Sequence, residues 1–164
     1  MTLKLSNLKI RDLLSALNQL DGFSEIVEQN GGKVSVRKPY VFPGKTIFNI
    51  TKDIRILRKL VEAANKDRDD LLTRISEGTN EIDGEKDPEK AREFAKGVAA
   101  IEEDEIEVTG LLLLKMTDLL NDDLAEDDAK KDKKRVVNPI PQTALASLAP
   151  VLDVFQPEVE TKTE

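Results

Sequence analysis

The chain of 164 residues contains no cysteine, no histidine and no tryptophan, and aromatic residues make up only 4% of it. Without cysteine there is no disulfide and no thiolate nucleophile. Without histidine the usual proton carrier near neutral pH is missing, and with both absent zinc loses its two commonest side-chain ligands. Most common catalytic sets are thereby excluded, so the sequence is read as non-enzymatic, with no catalytic residue, no metal ligand, no cofactor and no small-molecule substrate. Apolar runs do not exceed four residues, as at Leu111 to Leu114, where a bilayer span needs about 20. The opening stretch "MTLKLSNLKIRDLL" lacks the apolar run of a secretory signal. Together these predict no membrane partner and a reducing setting, either cytoplasm or a particle assembled there. Basic charge is also in deficit: the net charge is −7, which argues against a specific nucleic-acid partner.

What remains is 39% hydrophobic and 35% charged, with a core that must come from Leu, Ile, Val and Ala, a mixture that favours packed helices. "TLKL" reads as a short strand. Ser6 or Asn7 caps a helix carrying Leu8, Leu13, Leu14, Leu17 and Leu20, which ends at Asp21-Gly22. "FSEIVEQ" reads as a further helical turn, and Asn30-Gly31-Gly32 as a turn into "KVSVRKPYVF", a half-buried strand expected to pair near the helix ends. From Thr46, Ile47, Ile50, Ile54, Leu57, Leu60, Val61, Ala64, Leu71 or Leu72 and Ile75 recur at helical spacing, and Gly78 stops them. Asp87-Pro88-Glu89 then opens a second long helix to about Glu103. The two are expected to form a long antiparallel helical hairpin, with Ile54, Leu57, Val61, Phe94 and Val98 as its core.

"DEIEVTGLLLLKMTDLL" changes period and reads as one strand or a bent pair of short strands. Residues 121 to 135, "NDDLAEDDAKKDKKR", hold an acidic then a basic block that cannot bury a face. The expected organisation is therefore a helical hairpin domain with short strands at 1–120, a charged linker at 121–136, and a C-terminal docking arm and tail at 137–164. The fold class is mainly α with a small β component (α+β). In the arm, Leu145, Leu148, Val151, Leu152 and Phe155 are the candidate partner-binding residues. They either fold back on their own domain or dock on a neighbouring chain.

Two motifs imitate ligand sites. "KPYVFPGKTIFNITKDI" sets Gly44-Lys45-Thr46 between a strand-like run and a helix, in the order of a phosphate-binding loop. Pro39 stands where the first glycine belongs, Pro39 and Pro43 offer no N–H to a phosphate, and Asp118 in "LLLLKMTD" comes three residues late for a magnesium ligand. The simpler reading is a Pro43-Gly44 type II turn followed by a Thr46 helix cap. "TNEIDGEKDPEK" fails as a calcium loop, because it puts Thr79 first and Lys90 last where carboxylates are needed. Acid pairs such as Asp69-Asp70, and the basic run "KKDKKR", read as solvated surface.

The order of these features resembles a family of small proteins of tailed bacteriophages and prophages. The likeness lies in a leucine-rich first helix, a basic and aromatic stretch before a long helix ending near "RDDLLTRI", a second helix from "EKAREFAKG", acids running into "DEIEV" and an apolar strand, and a tail like "IPQTALASLAPVLD", covering roughly residues 3 to 153. The resemblance implies a bacteriophage structural or assembly protein acting through protein–protein contacts in the virion. Its partners would be other phage structural proteins or copies of itself, and its location the virion or the host cytoplasm. The alternative it implies is an early protein that binds and inhibits a host factor, its acids imitating DNA.

Overall fold

The computed structural model describes residues 1–29, 32–120 and 138–153. The linker and tail expectations for 121–136 and beyond 153, Phe155 included, lie outside these residues. The fold is mainly α with a small β component, in the order β1 (Thr2–Ser6), α1 (Asn7–Gln19), β2 (Phe23–Gln29), β3 (Gly32–Lys38), α2 (Gly44–Ile75), α3 (Pro88–Glu103), β4 (Glu105–Thr109), α4 (Met116–Leu120) and α5 (Gln142–Leu148), with a 3₁₀ turn at Ala149–Val151.

β1 and β4 pair antiparallel, Leu3 opposite Val108 and Leu5 opposite Ile106, and bury Leu5 and Val108 on one face. Ser6 ends β1 and starts α1, its hydroxyl accepting from the Lys9 N–H at 3.3 Å. α1 then buries Ile10, Leu13, Ala16 and Leu17, a stripe at helical spacing. Leu8, expected in that stripe, is exposed because Ile10 holds the inward position instead.

The first third of α2 seals the same core. Thr46, Ile50, Asp53 and Leu57 face inward at intervals of three and four. Ile47, assigned to this stripe by its apolar character, is exposed. Nor does Thr46 cap the helix: Pro43 is the N-cap, Gly44 is already helical, and the Thr46 hydroxyl is engaged elsewhere. Ser76 and Gly78 close the far end, the Gly78 N–H reaching the Thr73 carbonyl at 2.9 Å. Pro88 stands in the first turn of α3, although Asp87 makes no side-chain cap.

α3 lies along the outer part of α2, with Lys90 paired to Glu77 at 2.8 Å and Gly97 leaving room for the Leu71 side chain, which a Cβ would meet at 2.6 Å. The expected interhelical core is not a sealed one. Leu57 is fully buried within the main cluster, whereas Ile54, Val61, Phe94 and Val98 stay half-buried and α3 buries no residue. Two helices cover only one side of each other, and α1 meets the outer helix at its C-terminal end, where Asn7 donates from its Nδ2 to the Ile101 carbonyl at 2.8 Å and Arg11 pairs with Glu102 at 2.9 Å.

The arm at 138–153 folds onto its own chain. Leu114 donates to the Val151 carbonyl at 2.8 Å, and Asp153 donates back to Leu114 at 3.1 Å, making a parallel bridge between Leu114 and Leu152. Asn138, buried, spans three backbone groups: its Nδ2 donates to the carbonyls of Val41 (2.7 Å) and Leu119 (2.8 Å), and its Oδ1 accepts from the Val41 N–H (3.0 Å). Leu111 and Leu114, read as part of a strand, pass through the core as extended chain. The following residues wind into α4, whose Met116 N–H is held by Asp153 Oδ1 at 3.2 Å.

Candidate interaction surface

β2 and β3 form a ribbon separate from the main core. "FSEIVEQ" is not a helical turn. It pairs antiparallel with β3 from Phe23 opposite Lys38 to Gln29 opposite Gly32, and the reason lies in the Asn-Gly pair between two β-capable runs, which is a hairpin signal. β3 is not half-buried either: every one of its residues is exposed, and in β2 only Phe23 and Val27 are half-buried. Opposed residues share a face. One face carries Phe23, Val27, Val34 and Val36, with Glu25 ion-paired to Lys38. The other carries Ile26 between Ser24 and Glu28, against Ser35, Lys33 and Arg37. Ile26 is 70% exposed, the most open of the large apolar side chains among the described residues.

The ribbon is moored at its base. Gly22 passes so close to Lys38 that a Cβ would lie 2.6 Å from the Lys38 carbonyl oxygen, so a side chain there would push the first strand pair apart. Arg37 is paired with Asp21. Phe23 packs against Tyr40 with ring centroids 5.2 Å apart, and Tyr40 against Phe42 at 5.7 Å, an aromatic ladder from ribbon to body. The Tyr40 hydroxyl donates to the Pro139 carbonyl at 3.4 Å, and ring burial followed by the Asp21 charge raises its pKa above the ordinary value. It remains a neutral donor at physiological pH.

On one side of this ladder lies an open cleft of about 820 Å³ between Arg11, Asp21, Phe23, Arg37, Tyr40 and Pro141. A second hollow of about 440 Å³ is lined mainly by Tyr40, Phe42, Ile47, Ile50 and Ile54, with Asp21 and Thr51 at its wall. The charges in the polar cleft are matched, Arg37 by Asp21 and Arg11 by Glu102 at 2.9 Å.

Of the residues singled out in the arm, Leu148, Val151 and Leu152 are fully buried in the chain's own core and Leu145 is half-buried against it. The described part of the arm thus packs on its own chain, one of the two dockings open to it. The two residues that a nucleotide site would recruit do meet: Thr46 donates its hydroxyl to Asp118 Oδ2 at 2.7 Å. Each satisfies the other, and the contact ties α2 to α4.

Sequence reasoning passed over Asp53. It is completely buried, its Oδ1 accepts from the Leu112 N–H at 3.0 Å, and Oδ2 has no partner among the described residues. Burial pushes its pKa up to about 6, against the lowering effects of the Leu112 hydrogen bond, Lys52 and the chain's amino terminus. A signal was present, since Asp53 falls between Ile50 and Leu57 on the inward stripe. It is a structural tie between α2 and the segment before α4. Among the described residues no three potential ligands group to hold a metal, and no helix is long and apolar enough to cross a membrane.

The fold and this surface define a small α+β protein with a projecting two-stranded ribbon. No family model matches the chain, nor does any curated protein or solved structure.

Proposed function

We propose that this chain is a non-enzymatic protein that works through protein–protein contacts, as a structural or assembly component of a bacteriophage particle. The observation that carries the contact reading is the β2–β3 ribbon, which stands off the core with Ile26, Val34 and Val36 exposed. A two-stranded hairpin alone is marginally stable in water, and unpaired strand edges invite another chain to add to them. The phage setting rests on the sequence resemblance, and the partners it implies are other particle proteins or further copies of this chain. Quantitative mass spectrometry of purified particles tests the role. A fixed copy number per particle is expected, lowered when the ribbon is altered by Val34→Lys and Val36→Lys. Absence of the chain from particles and from their assembly intermediates overturns it.

A further inference from the structure

We infer that residues 154–164, which follow the last described residue, lie across the solvent face of α2, with Phe155 covering Phe48 and Leu113 and with Glu158 and Glu160 set among Lys45, Lys52 and Arg55. The inference concerns a different surface from the ribbon and does not depend on the ribbon's role.

The outward face of α2 is basic in a chain whose net charge is −7. Lys45, Phe48, Lys52, Arg55 and Lys59 recur at intervals of three and four, so they form one stripe, while Thr46, Ile50, Asp53 and Leu57 face the core. All of the stripe is exposed, Phe48 by 64%. Between Gly44 and Val61 the sole acid is the buried Asp53, and none of the stripe's bases has an ion pair among the described residues. Leu113, 43% exposed, runs beside this helix, its carbonyl accepting from Asn49 Nδ2 at 3.2 Å. An exposed phenyl ring and a leucine among unanswered bases fit an occupant that combines acids with an apolar side chain. A bare polyanion would leave the ring and the leucine uncovered.

The chain supplies such a segment at that place. Asp153 donates to the Leu114 carbonyl at 3.1 Å and holds the Met116 N–H through its Oδ1, which fixes the start of the segment next to Leu113. The segment, "VFQPEVETKTE", carries Phe155 and three acids, Glu158, Glu160 and Glu164, against one base, Lys162. Phe155 stands within about 7 Å of Asp153 along the chain and Glu160 within about 25 Å, by the reach of an extended backbone. The stripe from Lys45 to Lys59 is about 21 Å long. A segment tethered this closely meets the face at an effective concentration of the order of mM, which a free acidic chain would have to exceed. Tether and charge together favour this segment over any other chain.

The absence of cysteine makes the test direct, because Gln156→Cys gives the sole thiol and can carry a nitroxide without touching the residues named in the contact. In ¹H–¹⁵N spectra of the full chain, the amides of residues 45–55 are expected to lose intensity and those of the β2–β3 ribbon to keep it. Glu158→Lys with Glu160→Lys, which alters no described residue, should restore the intensity. Adding Lys45→Glu, Lys52→Glu and Arg55→Glu to that variant should bring the loss back. Broadening confined to residues 113–118, where the segment begins, or broadening of α2 that the reversals leave unchanged, overturns the contact. A mixture of ¹⁵N-labelled chain without nitroxide and unlabelled chain bearing it is expected to show no loss. Loss on the same face in that mixture would make the occupant a second copy and overturn the assignment to the chain's own segment.

Discussion

Asp53 makes the stability of this protein depend on pH in a direction opposite to that of most carboxylates. The group titrates near 3.9 in an unfolded chain and at about 6 when folded, chiefly because burial penalises its charged form. The folded state therefore holds the proton more tightly, and stability declines as pH rises from about 4 through 6, then levels off. A displacement of about 2 on the pH scale, at ~1.4 kcal/mol each, bounds the cost of the charge at roughly 3 kcal/mol. Water reaching Oδ2 during fluctuations would lower the cost, so about 1 to 3 kcal/mol is expected. Asp53→Asn keeps the shape and the acceptor for the Leu112 N–H while removing the charge. Urea unfolding at pH 7.5 should show the variant more stable by that amount, a rise of about 1 M in midpoint. At pH 4, where the folded wild type is already protonated, the two proteins should nearly coincide. Equal stabilisation at both pH values, or a loss at pH 7.5, would refute the reasoning and mean that Oδ2 is well solvated.

Asn138→Ala removes the groups that satisfy Val41 and Leu119 and should cost about 2 to 4 kcal/mol in thermal or urea unfolding. A neutral result would mean that water replaces the side chain. Leu57→Ala should cost roughly 2 to 5 kcal/mol, and Phe94→Ala distinctly less because α3 buries nothing fully. Equal losses in paired denaturation curves would show a sealed interhelical core. Leu148→Ala should lower stability of the isolated monomer by about 2 to 5 kcal/mol, since the arm completes its own fold. A stable monomer that no longer associates would instead place the arm on a neighbour.

Residue order alone was enough to show which side chains are missing, where α2 stops and that Pro88 opens α3. Each of these is local: a composition, a 3.6-residue period, a proline in a first turn. The remaining features arise from contacts between distant parts of the chain. "FSEIVEQ" is a strand because β3 pairs with it, and β3 is exposed because nothing in the described residues covers the ribbon. Asp53 is an orphaned buried acid because the segment after β4 closes over it, a contact between residues 59 positions apart. The arm's apolar residues were legible as a buried face. Which surface buries them depended on the Leu114 to Leu152 bridge and the Asn138 clamp. Period and composition show that a side chain seeks cover, and long-range pairing across the chain determines what supplies it.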